Sequence, residues 1–85
     1  MHEVLLSARA ERDLKRLPAN IFRRVIAAIL ALGTDPRPSG CRKLQGSPRD
    51  DYRIRVGDYR VVYEIDERNA AVRIMRVRHR REAYR

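Results

Sequence analysis

Two stretches of alternating residues, joined by a glycine-containing turn, constrain the fold of this chain most strongly. They form the segment YRIRVGDYRVVYEID, residues 52–66. Alternation with a period of two is typical of β-strands, because successive side chains point to opposite faces. The central Gly-Asp pair is a hairpin-turn signal. The segment therefore predicts an antiparallel hairpin, with tyrosine and aliphatic side chains on one face and Arg53, Arg55 and Arg60 on the other.

The residues before this hairpin predict a strand and a helical hairpin. Residues 2–6 are apolar and predict a first strand, and Ser7 is a candidate N-cap for a helix over about residues 8–16. Apolar residues recur at helical spacing again over about residues 21–32, with Asn20 as a candidate cap. The two arginines of the second helix, Arg23 and Arg24, are predicted to point away from its apolar face.

The rest of the chain predicts a connector and one more strand. Residues 34–51 are rich in proline and glycine, residues 66–69 read as a turn, and residues 70–78 predict a last strand. The adjacent Ile74 and Met75 make its register ambiguous. We therefore expect an α+β fold: an N-terminal strand, a helical hairpin and a three-stranded antiparallel meander, with the helices on one sheet face. At this length the whole chain, residues 1–85, is expected to be one domain.

The charge of the chain indicates a polyanionic partner. The formal net charge is +9 and the isoelectric point is about 11.0, and seven of the nine net charges lie in residues 37–85. Nucleic acid and acidic protein both fit this charge, and an anionic membrane fits it less well. Eighteen of the twenty cations are arginine, whose planar guanidinium suits bidentate phosphate contacts.

Cysteine, histidine and hydropathy exclude several other classes. One cysteine excludes an intramolecular disulfide, and one cysteine with two histidines makes a zinc site a poor expectation. No apolar run approaches the roughly 18 residues of a membrane span. We therefore expect a cytoplasmic protein that needs no metal or cofactor and does not enter a membrane.

The three hairpin arginines are the first candidate site residues. Like charges this close repel one another unless an anion joins them, although a solvated face paired with Asp58 and Glu64 is an equal alternative. The C-terminal stretch VRHRREAYR follows the last strand and can fold over the same end of the sheet. It favours the site because it adds cations and two groups able to transfer protons. The added candidates are Arg78, His79, Arg80, Arg81 and Tyr84.

Two further residues have alternative roles. His79 is a candidate general acid or base because histidine is the residue type suited to that role near neutral pH, although a lone histidine is more often structural or solvated. Glu64 is a candidate general base if it lies on the open face, but an ion pair with an arginine is the more ordinary role.

The residues resemble the RelE/ParE superfamily of bacterial and archaeal toxins over nearly the whole chain. The resemblance rests on SARAERDLKRLP, DPRPSGCRKLQG, YRIRVGDYRVVYEID and VRHRREAYR. In the RelE branch it implies ribosome-dependent cleavage of mRNA, in which the 2′-hydroxyl attacks the adjacent phosphate without a metal. The catalytic positions then fall on Arg53, Arg55, Arg60, Arg80 and Tyr84. Substrate contacts are expected from Lys43, Arg78, His79 and Arg81.

The resemblance also implies roles and partners. Arg60 and Arg80 would hold and neutralise the phosphate, and Tyr84 would stack on a base or assist proton transfer. The best-known members carry lysine where this chain has Arg53 and Arg55, and arginine is a poor general base, so the acid and base stay unassigned. The implied partners are an acidic antitoxin, the ribosome and mRNA. A ParE-like inhibitor of DNA gyrase and a non-catalytic RNA-binding module remain alternatives.

Overall fold

The structure, a computed structural model, describes residues 1–44 and 51–83. In chain order the elements are β1 (Glu3–Leu6), α1 (Ala8–Lys15), α2 (Ala19–Ala31), β2 (Arg42–Lys43), β3 (Asp51–Val56), β4 (Tyr59–Asp66), β5 (Ala71–His79) and α3 (Arg80–Ala83). The predicted order of a strand, two helices and three strands is confirmed. The two-residue strand β2 and the short helix α3 are additional.

The starts of the two long helices differ in how they are capped. Ser7 caps α1 as predicted: its Oγ accepts the Ala10 N–H at 3.0 Å and donates to the Met75 carbonyl at 2.8 Å. The cap therefore also ties α1 to β5. The predicted cap at Asn20 is wrong, because α2 begins two residues earlier than predicted, at Ala19, and its N-cap is Pro18. Proline at this position has no side-chain acceptor, and its fixed φ favours the entry into the helix.

The sheet has five strands in the order β1-β5-β4-β3-β2. The predicted antiparallel meander is confirmed as β3, β4 and β5. The sheet extends beyond the meander at both edges, since β1 lies parallel to β5 and β2 lies antiparallel to β3. The first pairing joins segments nearly 70 residues apart, so local patterns carry no information about it.

The core lies between the helices and one face of the sheet. The helices contribute Ala10, Leu14, Val25, Ile29 and Leu32, and the strands contribute Ile54, Val61, Tyr63, Ile65, Val72, Ile74 and Val77. The alternation predicted for β3 and β4 is therefore confirmed. Tyr63 is fully buried and donates its hydroxyl to the Pro36 carbonyl at 2.7 Å, so its polar atom is satisfied. Burial raises the pKa of this hydroxyl, which keeps it neutral.

A β-bulge resolves the ambiguous register of β5. Val62 pairs with Arg76, whereas Tyr63 pairs with Ile74, so Met75 is the extra residue on β5. Ile74 and Val77 can both face the core because the bulge shifts the alternation by one residue. No helix within residues 1–44 and 51–83 is long and apolar enough to span a membrane.

Candidate anion-binding site

The face of the sheet opposite the helices carries a row of arginines. Arg55 pairs with Arg60, and Arg60 in turn pairs with Arg78, so three neighbouring strands each place an arginine in this row. Directly opposed residues project to the same face with Cβ atoms roughly 5 Å apart. Arg53, paired with Arg42 of β2, lies further along the same face. The predicted convergence of Arg53, Arg55 and Arg60 on one face is thus present in the structure.

A cleft of about 440 Å³, here called the sheet cleft, lies where this face meets the β3–β4 turn and α3. Its lining residues are Arg55, Gly57, Asp58, Tyr59, Arg60, Arg80 and Arg81. The Arg80 backbone N–H donates to the Asp58 carbonyl at 2.7 Å, so α3 is anchored to the turn. The Arg80 Nε also lies 4.0 Å from Asp58 Oδ1, with both side chains largely exposed. An exposed pair of this kind holds a side chain loosely, which leaves Arg80 able to turn to a bound anion.

A second cleft of about 390 Å³, the edge cleft, lies beside the first. It is lined by Ser39, Gly40, Arg42, Arg53, Ile54 and Arg55. Arg55 lines both clefts and is exposed. A linear anion that follows the sheet face would therefore pass Arg55 between the two clefts.

Arg24 is a cation near the site that the sequence did not indicate. Gly57, at the β3–β4 turn, has φ +59°, a left-handed conformation that favours glycine. The guanidinium nitrogens of Arg24 lie 3.6 Å from the position that a Cβ of Gly57 would occupy. Arg24 is exposed on α2, as its helical position predicts, but its length brings its charge to the turn that lines the sheet cleft. Helical periodicity predicts the side of a helix on which a residue lies, but not how far its side chain extends. It therefore did not indicate that Arg24 reaches the turn.

His79 lies on the other face of the sheet. It pairs with Tyr59, and the two rings meet edge to face with centroids 5.1 Å apart. Its Nδ1 accepts the Arg81 backbone N–H at 3.2 Å, which ties the ring to the start of α3. It lines a groove below the helices together with Asp13 and Arg16, and it does not line the sheet cleft.

The other residues predicted for the site lie at different places, and not all of them are near the sheet cleft. Arg78 neighbours Arg60, and its guanidinium donates to the Glu82 carbonyl at 3.0 Å. Lys43 pairs with Tyr52 at the sheet edge and lines neither cleft. Glu64 lies 2.9 Å from Arg73, toward the opposite end of β4. Tyr84 lies outside the described residues.

The cleft is suited to binding an anion rather than to holding a metal. Within residues 1–44 and 51–83, no three histidine, cysteine or carboxylate side chains are grouped as metal ligands. Among the residues that the structure describes, Asp58 is the only carboxylate that lines the sheet cleft, and four arginines line it as well. Guanidinium groups keep their charge at all relevant pH values and can stabilise charge that develops on a phosphate. Fold and site together define a small α+β protein with an arginine-lined cleft at one end of its sheet.

Comparison with known proteins gives this class a family. A profile described as ParE toxin of type II toxin-antitoxin system, parDE, matches residues 4–84. Two toxins of Mycobacterium tuberculosis (strain ATCC 25618 / H37Rv), RelG and RelE, are each 34% identical to this chain over 85 residues. The alignments cover 99% of this chain, with 97% of RelG and 87% of RelE.

A solved relative has the same fold. A chain in the crystal structure of the archaeal RelE-RelB complex from Pyrococcus horikoshii OT3 superposes with a TM-score of 0.82 at 29% identity. The match covers 93% of this chain and 94% of that chain. The chain therefore belongs to the ParE toxin family of type II toxin–antitoxin systems, and it is a toxin of the RelE type of fold.

Proposed function

We propose that this toxin is a metal-independent endoribonuclease that cleaves mRNA on the ribosome. The observation that carries the proposal is the convergence of Arg55, Arg60 and Arg80 on one cleft, from two strands and the helix that follows the sheet. A phosphodiester placed there meets three guanidinium groups, which can stabilise the charge that develops on its oxygens during cleavage. The 34% identity to toxins named RelE and RelG supports the same reading.

The proposed reaction uses the RNA's own nucleophile. The 2′-oxygen forms a bond to the adjacent phosphorus, the bond from phosphorus to the 5′-oxygen breaks, and a cyclic phosphate and a 5′-hydroxyl result. Arg60 and Arg80 neutralise the charge that accumulates on the phosphate oxygens, while Arg53 and Arg55 hold the neighbouring backbone. Donors aimed at such charge contribute roughly 10²–10³-fold in rate each. Tyr84 is proposed to stack on a base or to assist the proton transfer.

Ribosome-dependent cutting is the decisive test. The full chain is added to translating ribosomes and the mRNA ends are mapped, with DNA gyrase supercoiling measured in parallel. We expect cuts that disappear in Arg60→Ala and Arg80→Ala and persist in Arg23→Ala, an exposed arginine that lines neither cleft. Gyrase inhibition with intact mRNA would refute the proposal.

A gyrase inhibitor is the second candidate. The specific observation in its favour is that the matching family profile describes a ParE toxin. The arginine cleft would then contact an acidic surface or DNA, with no cleavage step. RNA binding with neither cutting nor gyrase inhibition would instead identify a non-catalytic RNA-binding module.

The proposed protein partner is a cognate acidic antitoxin. The archaeal structural relative is a complex of RelE with RelB. This chain offers both a net charge of +9 and exposed apolar residues on α2, Phe22 and Leu30. Such apolar residues suit the interior of a protein interface, and the charge suits an acidic segment. The proposed location is the cytoplasm, where ribosomes and mRNA are found.

A further inference from the structure

The first helix carries a line of arginines that the proposed reaction does not use. Arg9 and Arg12 of α1 and its C-terminal cap, Arg16, are three and four residues apart and therefore lie on one side of the helix. At 1.5 Å per residue they span roughly 10 Å along the axis. These three residues, here called the α1 arginine stripe, line a cleft of about 210 Å³ with Asp13 and Arg76.

The carboxylate in this cleft does not neutralise the stripe. Asp13 accepts hydrogen bonds from Arg76 at 2.9 and 3.3 Å and from the Val77 backbone N–H at 2.9 Å. The negative charge of Asp13 is therefore paired with Arg76 and the backbone of β5. Within residues 1–44 and 51–83, no carboxylate lies within 4.0 Å of Arg9, Arg12 or Arg16.

The lining of the cleft indicates the kind of ligand. All five lining residues are charged and none is apolar. Interfaces between proteins have an apolar centre, whereas contacts to a nucleic-acid backbone consist mainly of arginine and lysine on phosphates. The exposed large apolar residues of the strands and helices lie outside this cleft, on β1 and α2. The stripe therefore fits a phosphodiester backbone better than an acidic protein.

The stripe is connected to the sheet cleft. The groove that contains His79 shares Arg16 and Arg76 with the α1 cleft, and it shares Tyr59 with the sheet cleft. The groove therefore links the two clefts around the end of the sheet, and it is itself of mixed charge because Asp13 and Glu82 also line it. A second stretch of RNA backbone can lie on α1 while a first occupies the sheet cleft.

We propose that the α1 arginine stripe is a second RNA-binding site, which holds the phosphate backbone of a structured RNA outside the cleavage cleft. The choice of RNA over DNA rests on the proposed function. The proposed contact with a phosphate backbone rests only on the charged lining of the α1 cleft. The site contributes affinity and orientation, and no bond is made or broken there.

The test measures binding without ribosomes. Fluorescence anisotropy of a labelled RNA duplex is recorded against salt for the wild type and for the Arg9→Gln/Arg12→Gln/Arg16→Gln variant. Each phosphate contact adds about 0.7–0.9 to the slope of log K against log salt, so we expect the slope to fall by about 2. The affinity at 0.1 M salt should fall roughly ten-fold or more.

A charge-matched control separates a site from general positive charge. The Lys15→Gln/Arg23→Gln/Arg68→Gln variant removes three exposed cations that line none of the described clefts. We expect it to change the slope by less than half as much. Equal losses in the two variants would overturn the proposal, and so would an unchanged RNA slope with weakened antitoxin binding.

The outcome is independent of the proposed cleavage. A wild type that does not cut mRNA on ribosomes refutes the nuclease, while a difference in slope between the two triple variants still supports the second site. Conversely, mRNA cutting that depends on Arg60 and Arg80 would support the nuclease. Equal salt slopes for RNA binding in the two triple variants would at the same time refute the second site. A thermal melt of each variant confirms that the compared proteins are folded.

Discussion

Individual side chains decide where an anion would bind, and Arg55 has the most informative position. It belongs to both the sheet cleft and the edge cleft, and it pairs across the hairpin with Arg60. Alternation in the sequence is sufficient to predict its face, because the face depends only on the pleat. Arg55 joins the two clefts only because the β3–β4 turn, α3 and residues 39–42 lie around it. The alternation in the sequence describes none of these three.

Arg55 therefore provides the prediction at this scale. If RNA passes from one cleft to the other, Arg55→Ala should lower the rate of ribosome-dependent cutting about 100-fold. Arg55→Lys should recover part of the loss, because it restores the charge without the bidentate fork. Cutting rates of the two variants and of Arg23→Ala are compared at one salt concentration. A loss in Arg55→Ala no larger than in Arg23→Ala would contradict this role.

At the scale of elements, α1 is attached to the sheet where β1 ends. The last pair between β1 and β5 is Leu6 with Ile74, and beyond it α1 covers the edge of β5. The Ser7 hydroxyl donates to the Met75 carbonyl, and Asp13 accepts from Arg76 and from the Val77 N–H. These contacts satisfy backbone groups of a strand edge that would otherwise be open to pairing.

The Asp13 contact predicts a pH-dependent stability. Burial alone would raise the pKa of Asp13, but the hydrogen bonds from Arg76 and the Val77 N–H outweigh it and hold the pKa below its usual range. The ionised form therefore stabilises the fold above the unfolded-state pKa of about 3.9, and this contribution is lost as the pH falls through the lower folded value. We expect Asp13→Asn to reduce the free energy of unfolding by about 1–2 kcal/mol at pH 7.

Urea unfolding at pH 7 and near pH 2 measures this effect. The difference between wild type and Asp13→Asn should shrink at the acid pH, because the contribution of ionised Asp13 to stability falls once the pH is below the unfolded-state pKa. Glu11→Gln, an exposed position on the same helix, serves as the control and should change stability little at either pH. A difference that stays constant with pH would show that the effect comes from packing and not from charge.

At the scale of the whole molecule, charged and apolar surface lie side by side. Arginines line the clefts of the open sheet face, the hairpin end and α1. The exposed large apolar residues of α2 and β1 include Phe22 and Leu30, and α2 also carries the exposed Arg23 and Arg24. A partner that covers both kinds of surface needs an acidic part and an apolar part. An antitoxin with an acidic segment and an apolar segment would fit this surface and would neutralise part of the net charge.

Antitoxin binding should accordingly weaken with salt. The dissociation constant of the purified complex, measured by calorimetry at several salt concentrations, should rise steeply, since exposed charge pairs are screened within a Debye length of about 8–10 Å. Leu30→Ser should weaken binding at every salt concentration without changing the slope. A flat salt dependence would refute electrostatic masking of the arginines.

Local patterns by themselves determined the existence of the four longer strands and the two longer helices of this protein, and they missed the short elements β2 and α3. The Ser7 cap, the apolar stripes of α1 and α2 and the alternation of β3 and β4 all follow from neighbours a few residues apart, so one chain suffices to predict them. The open-face arginines followed for the same reason. Local propensity failed at Asn20, because Pro18 starts the helix earlier.

Only the tertiary structure decided how these elements form a site. The parallel pairing of β1 with β5, the bulge at Met75 and the contact of Arg24 with the turn at Gly57 join residues that are distant in sequence. These contacts depend on strand register and on the length of the Arg24 side chain. No repeating pattern in the sequence reports either of them. The row of arginines was therefore predictable, and the clefts that they line were not.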